Sequence, residues 1–326
     1  MFNFLEEVQE KEPETREDLK PYSITPRSII CAPKGKVLSA VDYKNQELYF
    51  IAVLSEDQNM LKAFTLPEKY SYIDSNGNTV EYKNPEADLH TMTAKECCFP
   101  YLFENQPFEK WSDIARDKTV LKNLLGDPRK YGKITNFAIV YLATAKTMAE
   151  NNYLKLEIAE EWIKRHKKIF PDCHKFTEQE KEIAEARGWA ANSYNRIRWC
   201  REDNSKGQGA STGRSGVNFK IQSLGAELSK KAIIALEKEF RGEPCNLLAL
   251  IHDEVLIEHP GKAYLKPKEK NGVYYLNYEI DEEADYWRKR AKKVLEDEES
   301  KMLNYISGSE EYVGMCEVDT ALFWSH

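Results

Sequence analysis

The twelve residues Leu247-Leu248-Ala249-Leu250-Ile251-His252-Asp253-Glu254-Val255-Leu256-Ile257-Glu258 constrain this chain more than any other stretch. Two apolar runs, LLALI and VLI, flank a polar triplet. Each run has the length and composition of a strand, and the triplet falls where two strands of a hairpin would turn. Asp and Glu are ordinary turn residues, so the triplet by itself is as readily structural as chemical. A second stretch tips that balance. Val37-Leu38-Ser39-Ala40-Val41-Asp42-Tyr43 is another apolar run ending in an Asp. Two strands that each deliver a carboxylate to one sheet edge form the arrangement a two-metal phosphoryl-transfer site needs.

Composition narrows the class. A chain of 326 residues, 41% hydrophobic and 31% charged, can bury a sizeable core in two or three lobes. No apolar run approaches the ~20 residues of a membrane span, and the opening MFNFLEEVQEKEPE is too acidic for a signal peptide. The expectation is a cytoplasmic protein without a membrane partner. The seven Cys form no paired framework, which fits free thiols in a reducing compartment. Cys173-His174 with His166 reads better as thiols and imidazoles scattered on a helical surface than as a metal cluster. The net charge of −7 argues against a nucleic-acid partner, but its sign is uneven. Segments 5–18 and 280–299 are acidic, while 161–220 carries Lys164, Arg165, Lys167, Lys168, Arg196, Arg198, Arg201, Lys206, Arg214 and Lys220. That run is either a local phosphate-binding surface or a solvated helix face.

In chain order, residues 1–26 alternate charge and Pro and read as an acidic tail or linker. Strand patterns follow to Asp42, then helical spacing over 43–54. The Tyr-, Asn- and Pro-rich stretch 66–88, with Asn76-Gly77, predicts an inserted hairpin, and Asn271-Gly272 predicts another. Helical patterns dominate 88–191, broken at Pro100, Pro128 and Pro171. Residues 204–216 (NSKGQGASTGRSG) read as a flexible loop before a long helix, Val217–Phe240. A charged helix over 279–304 and a last strand over 312–318 close the chain. Strands at both ends around a helical insertion make the fold class α+β.

On the helix opened by Pro128, Arg129, Lys133, Phe137 and Tyr141 recur every four positions, about 6 Å apart along one face. Cations at i,i+4 repel unless something anionic lies over them. Two cations followed by two rings could grip a triphosphate and form a platform for sugar and base. An amphipathic helix with a basic end and core aromatics is the equally plain alternative. The loop GQGASTGRSG is no phosphate loop: five residues separate Gly207 from Gly213, and Arg214 stands where a Walker Lys belongs.

Together these stretches resemble the polymerase module of family A DNA polymerases, the bacterial DNA polymerase I type, from about Arg27 to the C-terminus. Asp42-Tyr43-Lys44-Asn45-Gln46-Glu47 is similar to motif A, and Asp88-Leu89-His90-Thr91-Met92-Thr93-Ala94 to the family's D-[IL]-H-x-x-T-A. Arg129-x3-Lys133-x2-Asn136-Phe137-x3-Tyr141 is similar to motif B. Arg214-x3-Asn218-x3-Gln222 and His252-Asp253-Glu254 resemble the later palm motifs. Five matches in family order carry the resemblance.

The resemblance implies a right-hand polymerase fold. An antiparallel palm sheet (27–90 and 216–326) would carry an inserted helical fingers lobe (91–215), with the thumb absent. It implies template-directed DNA synthesis from dNTPs on primer-template DNA. Asp42, Asp253 and the Tyr43 carbonyl would hold two Mg2+ ions, for which Mn2+ could substitute, with Glu254 beside them. His90, Arg129 and Lys133 would meet the triphosphate. Glu47 with Tyr141 would exclude a 2′-hydroxyl, and Phe137 would set discrimination against dideoxynucleotides. His252, Arg214, Asn218 and Gln222 would lie near primer and template.

Departures are Leu142 where the family has Gly after the motif B Tyr, and Ala138 where Gly is frequent. No thumb-like or exonuclease stretch precedes motif A. That leads to the expectation of a C-terminal piece of a split, phage-derived polymerase with a separate thumb-bearing polypeptide. The competing classes are a non-catalytic DNA-binding scaffold and a single-subunit RNA polymerase. The latter usually lacks a Glu at position 47 and has Ser where Glu254 stands.

Overall fold

The structure, a computed structural model, describes residues 26–73, 77–121, 126–200, 212–265, 268–270, 273–275 and 278–324. The acidic tail to residue 25, residues 204–211 of the Gly-rich loop and the Asn271-Gly272 turn lie outside them. In chain order, strand β1 (Lys36–Tyr43) leads into helix α1 (Gln46–Ser55) and a short helix, Gln58–Thr65. The hairpin Lys69–Ile73/Thr79–Lys83 precedes α2 (Leu89–Thr93), α3 (Pro128–Val140), α4 (Leu156–Ile169), α5 (Pro171–Arg187) and α6 (Thr212–Glu239). Strands β2 (Asn246–Ile251) and β3 (Glu254–Pro260), helix α7 (Glu282–Ser307) and strand β4 (Cys316–Ala321) complete the chain.

These elements divide into two compact units. The first comprises residues up to 44, 226–302 and 313–326. Its centre is a four-stranded antiparallel sheet in the order β4-β1-β3-β2. The β1–β3 register sets Ala40 opposite Leu256 and Asp42 opposite Glu254. Leu38, Ala40 and Leu256 thus share one face, where Trp324 buries them further. Val37, Val41, Val255 and Ile257 are buried on the opposite face. That face also holds a satisfied polar trio, with Ser39 Oγ 2.7 Å from both His259 Nε2 and Thr320 Oγ1. Strand β4 begins later than the apolar alternation suggests. The Gly314 and Met315 amides donate instead to Ser300 Oγ (2.8 Å) and Glu299 Oε2 (2.7 Å) on α7, so the ladder opens at Cys316.

The second unit, 45–225 with 303–312, is mainly helical. Its joints are made by side chains at helix ends. The buried Asp57 carboxylate accepts from Asn59 and Met60 at one helix start and from Asp172 and Cys173 at the start of α5, each at 3.1 Å. One residue thereby satisfies orphan amides of two helices. Asp127 caps α3 at Lys130 N (2.7 Å), with Pro128 at the first helical position.

Two expectations are corrected here. Thr212–Gly216, read as loop, is the first turn of α6. A Cβ on Gly213 would lie 2.4 Å from Lys181 Cγ, and one on Gly216 would lie 2.3 Å from Ala184 Cβ. These glycines permit close approach of α6 to α5 rather than chain flexibility. His166 and Cys173, expected on a helical surface, are 1% and 0% exposed. Among the described residues no group of three or more His, Cys, Asp or Glu side chains could hold a metal, and no helix is long and apolar enough to cross a membrane.

Helices α2 and α3 cross at Gly132, where a Cβ would stand 2.0 Å from the His90 carbonyl oxygen. Backbone cannot yield as a side-chain tip does. Gly132→Ala is therefore expected to destabilise the protein by about 2–3 kcal/mol, read from chemical denaturation. An unshifted midpoint would show that the two helices are not held at this distance.

Candidate active site

In the first unit, the β2–β3 hairpin turns at His252-Asp253. His252 adopts the left-handed conformation (φ 57°), which lets two residues reverse the chain. Its carbonyl accepts from Ser229 Oγ on α6 at 3.1 Å, tying the turn to the helix. Asp253 immediately precedes Glu254, and Glu254 is the cross-strand neighbour of Asp42. Residues directly opposite on antiparallel strands point to the same face. Asp42 and Glu254 therefore share a face, with Asp253 one residue away and Tyr43 on the adjoining position of β1. Glu254 is 7% exposed and accepts from Trp324 Nε1 at 2.8 Å. Arg27 lies over the Trp324 ring, 4.6 Å from its centroid. The sheet thus brings Asp42, Tyr43, His252, Asp253 and Glu254 together. The Trp324 indole is a member the sequence reading did not single out.

In the second unit, α3 carries the four-residue spacing onto one face. Phe137 and Tyr141 stack, with centroids 6.2 Å apart and planes at 15°. The Lys133 ammonium lies 5.9 Å from the Phe137 centroid, a cation–π distance. Tyr141 donates its hydroxyl to Glu47 Oε2, joining the end of α3 to α1. Lys118, Asp127, Arg129, Lys130 and Lys133 line a concavity of about 570 Å³. An adjoining one of similar size is lined by Lys133, Phe137, Ala138 and Tyr141. A cationic recess beside an aromatic one suits an anionic ligand with a flat, apolar end.

Arg129 does not stand alone there. Its Nε and Nη2 donate to Asp88 at 2.5 and 3.1 Å, a bidentate pair. Asp88 also caps α2 at His90 N (3.1 Å) and accepts from Thr91 Oγ1 (3.0 Å). Burial pushes the Asp88 carboxyl up, but hydrogen bonds and charge from Arg129 outweigh it and hold the group below its usual range. Asp88 belongs to the D-[IL]-H-x-x-T-A run, yet its anchoring role needed the fold to appear. Burial pushes the His90 imidazole down to about 3; Asp88 opposes the shift, while Arg129 and Lys133 add to it.

Arg214, Asn218 and Gln222 follow one another at four-residue steps on α6. Asn218 Oδ1 is buried without a hydrogen-bond partner among the described residues, and Gln222 is exposed. Leu142 follows α3 with φ 51°, so the position where the family has Gly keeps a left-handed backbone while bearing a branched side chain.

Comparison with known proteins decides the family. Residues 14–270 match the profile of DNA polymerase family A. The chain belongs to that family. It is 26% identical over 238 residues to the DNA polymerase of Mycobacterium phage D29, covering 73% of this chain and 31% of that protein. It is 26% identical over 238 residues to DNA polymerase I of Treponema pallidum (72% and 20%) and 24% identical over 267 residues to the thermostable DNA polymerase I of Thermus aquaticus (79% and 27%). The family A chain thus spans roughly a fifth to a third of the length of these relatives. The polymerase domain of Pol1 from M. smegmatis, in complex with DNA primer-template and dNTP, has the same fold at TM-score 0.60 and 17% identity, over 94% of this chain and 44% of that one. The right-hand α+β architecture expected from the motifs is borne out.

Buried neutral histidines are expected to make this family A chain acid-sensitive. His90 is held down to about 3 and the half-buried His174 to about 4, and His166 lies well below its ordinary value, burial being the largest cause in each. Between about pH 6.5 and those values the unfolded imidazoles bind protons that the folded ones do not. Stability is therefore lost as pH falls through that window, by up to about 1.4 kcal/mol per pH unit for each group. The melting temperature is expected to fall steadily from pH 7 to pH 5. A flat profile there would mean the folded imidazoles take up protons freely.

Proposed function

We propose that this chain carries the nucleotidyl-transfer centre of a template-directed DNA polymerase, joining dNTPs to a primer 3′-OH. The observation that carries this reading is the register placing Asp42 on β1 opposite Glu254 on β3, one residue from Asp253. Family membership and the cationic-aromatic face of α3 support it.

The donor set fits Mg2+. Asp42 on β1 and Asp253 in the adjoining β2–β3 turn would supply hard oxygen ligands, with the Tyr43 carbonyl as a further candidate. Among the described residues there is no larger cage of His, Cys, Asp or Glu. Mg2+ usually takes one or two carboxylates and completes its shell with water and substrate phosphates, and Mn2+ can replace it. Two such ions would supply activation of the 3′-oxygen and stabilisation of charge on the departing pyrophosphate. Glu254, held by the Trp324 indole, keeps a third carboxylate in a fixed pose beside Asp42 and Asp253.

The remaining roles fall to the second unit, with His252 of the first. Lys133 and Arg129 meet triphosphate oxygens, Arg129 oriented by Asp88. His90 offers a neutral N–H, and Phe137 and Tyr141 supply the surface against base and sugar. Glu47, tied to Tyr141, forms a wall at the sugar 2′ position. Arg214, Asn218, Gln222 and His252 are the candidates for contact with primer and template.

Primer extension with Mg2+ tests the centre. Asp42→Ala and Asp253→Asn are each expected to lower incorporation by about 10³-fold or more while primer-template binding persists, since several kcal/mol of transition-state stabilisation are removed. Substantial synthesis by either variant would remove these residues from the centre.

The sugar wall has its own test. Glu47→Ala is expected to raise the ratio of rNTP to dNTP incorporation on the order of 10-fold or more, because exclusion by a shaped wall is lost with the wall. An unchanged ratio would place sugar selection elsewhere.

A further inference from the structure

Behind the triphosphate-facing side of the second unit runs a line of buried polar side chains that the functional reading leaves unused. His174 Nε2 lies 3.0 Å from His166 Nδ1. His166 Nε2 lies 3.1 Å from Asn136 Oδ1. Asn136 Nδ2 lies 3.0 Å from His90 Nδ1, and His90 Nε2 lies 3.1 Å from Asn45 Oδ1. His90, Asn136 and His166 are each 1% exposed. The fully buried Thr93 Oγ1 lies 2.8 Å from Asn136 Oδ1 and 2.9 Å from the Leu89 carbonyl oxygen, its single proton shared between the two acceptors.

The two amides fix the direction of every proton in this line. An amide nitrogen only donates and an amide oxygen only accepts. Asn136 Nδ2 must therefore donate to His90 Nδ1, which leaves the His90 proton on Nε2, donating to Asn45 Oδ1. Asn136 Oδ1 must accept from His166 Nε2–H. That leaves His166 Nδ1 bare, so His174 Nε2–H donates to it. The four bonds run head to tail from His174 to Asn45, and each ring is neutral with its proton on Nε2. Asn45 serves as acceptor rather than as a cap: it precedes α1 in the left-handed conformation (φ 52°) and makes no side-chain hydrogen bond to the helix amides.

We infer that Asn136, His166 and His174 are positioning residues that lock His90 in the neutral Nε2–H tautomer, so that the proton held by Asn45 Oδ1 in the free chain is the one a triphosphate oxygen receives when it takes that amide's place. The inference rests on the polymerase reading for its ligand, but not for the chain of bonds itself. A bare Nε2 would turn a lone pair toward the anion. An imidazole free to exchange tautomers would spend part of its time in that form. Asn136 sits on α3, one residue before Phe137, so the same helix that presents Lys133 and Phe137 also sets the proton on His90.

The test reads tautomers directly. The six His of 15N-histidine-labelled protein give two-bond proton–nitrogen correlations that distinguish Nε2–H, Nδ1–H and imidazolium, assigned with His90→Gln and His166→Gln. In the wild-type protein at pH 7, without nucleotide, His90, His166 and His174 are all expected as neutral Nε2–H. Finding His90 or His166 as Nδ1–H or imidazolium overturns the proposal without any variant having to fold. Asn136→Asp keeps the shape but replaces the Nδ2 donor by an acceptor. His90 is then expected to carry a proton on Nδ1, and the KM for dNTP to rise about tenfold, with kcat within about threefold, as a charge-assisted donor is lost. Retention of the Nε2–H pattern in Asn136→Asp also overturns it. If the wild-type chain extends no primer, the polymerase reading fails while the spectra still decide the hydrogen-bond chain. If it extends primers but His90 ignores Asn136, only the positioning role fails.

Discussion

The antiparallel pairing of β1 with β3 is the constraint on which the candidate centre depends. Side chains alternate along a strand, so a slip of one residue would replace Asp42 on its face by Val41 or Tyr43. Burial prevents that slip from both sides. Leu38, Ala40 and Leu256 are covered with Trp324 on one face, and Val37, Val41, Val255 and Ile257 are buried on the other. The salt bridge from Lys36 to Glu258 (2.7 Å, both partly shielded) closes the far end of the same register. Packing that contains no catalytic group thus decides which carboxylates share a face.

Trp324 links that packing to the candidate centre. Its ring fills the apolar patch formed by Leu38, Ala40 and Leu256, while its N–H meets Glu254. A buried carboxylate needs such a donor, since leaving it unmatched costs more than the bond itself contributes. In the second unit the same economy appears at helix ends. Asp57 joins two helix starts, and Asp88 caps α2 while orienting Arg129. Each charged side chain there serves local structure and a longer-range contact at once. The bare crossing at Gly132 brings α2 and α3 close enough for His90 and Asn136 to meet.

Much of the candidate site was legible before any coordinates. Strand-length apolar runs ending in Asp42 and flanking His252-Asp253-Glu254 announce a hairpin and a neighbouring strand, because period-two burial leaves that mark. The four-residue recurrence of Arg129, Lys133, Phe137 and Tyr141 likewise follows from helix geometry and needs no partner to be seen. The glycines of 212–216 misled because a Gly tolerated for close packing and a Gly kept for flexibility look identical in sequence; only Lys181 and Ala184 on α5 tell them apart. His166 and Cys173 misled for a related reason, since a polar residue in a polar helix gives no sign that its partner is another buried side chain.

By itself, then, the sequence determined the α+β class, the motif order and the identity of the groups that could do phosphoryl-transfer chemistry, because periodicity and residue type are local properties. Tertiary structure alone decided the cross-strand match of Asp42 with Glu254, the indole on Glu254, the Asp88 clamp on Arg129 and the proton direction at His90. Each of those joins residues 41 to 212 positions apart in the chain, and no local pattern encodes a partner that distant.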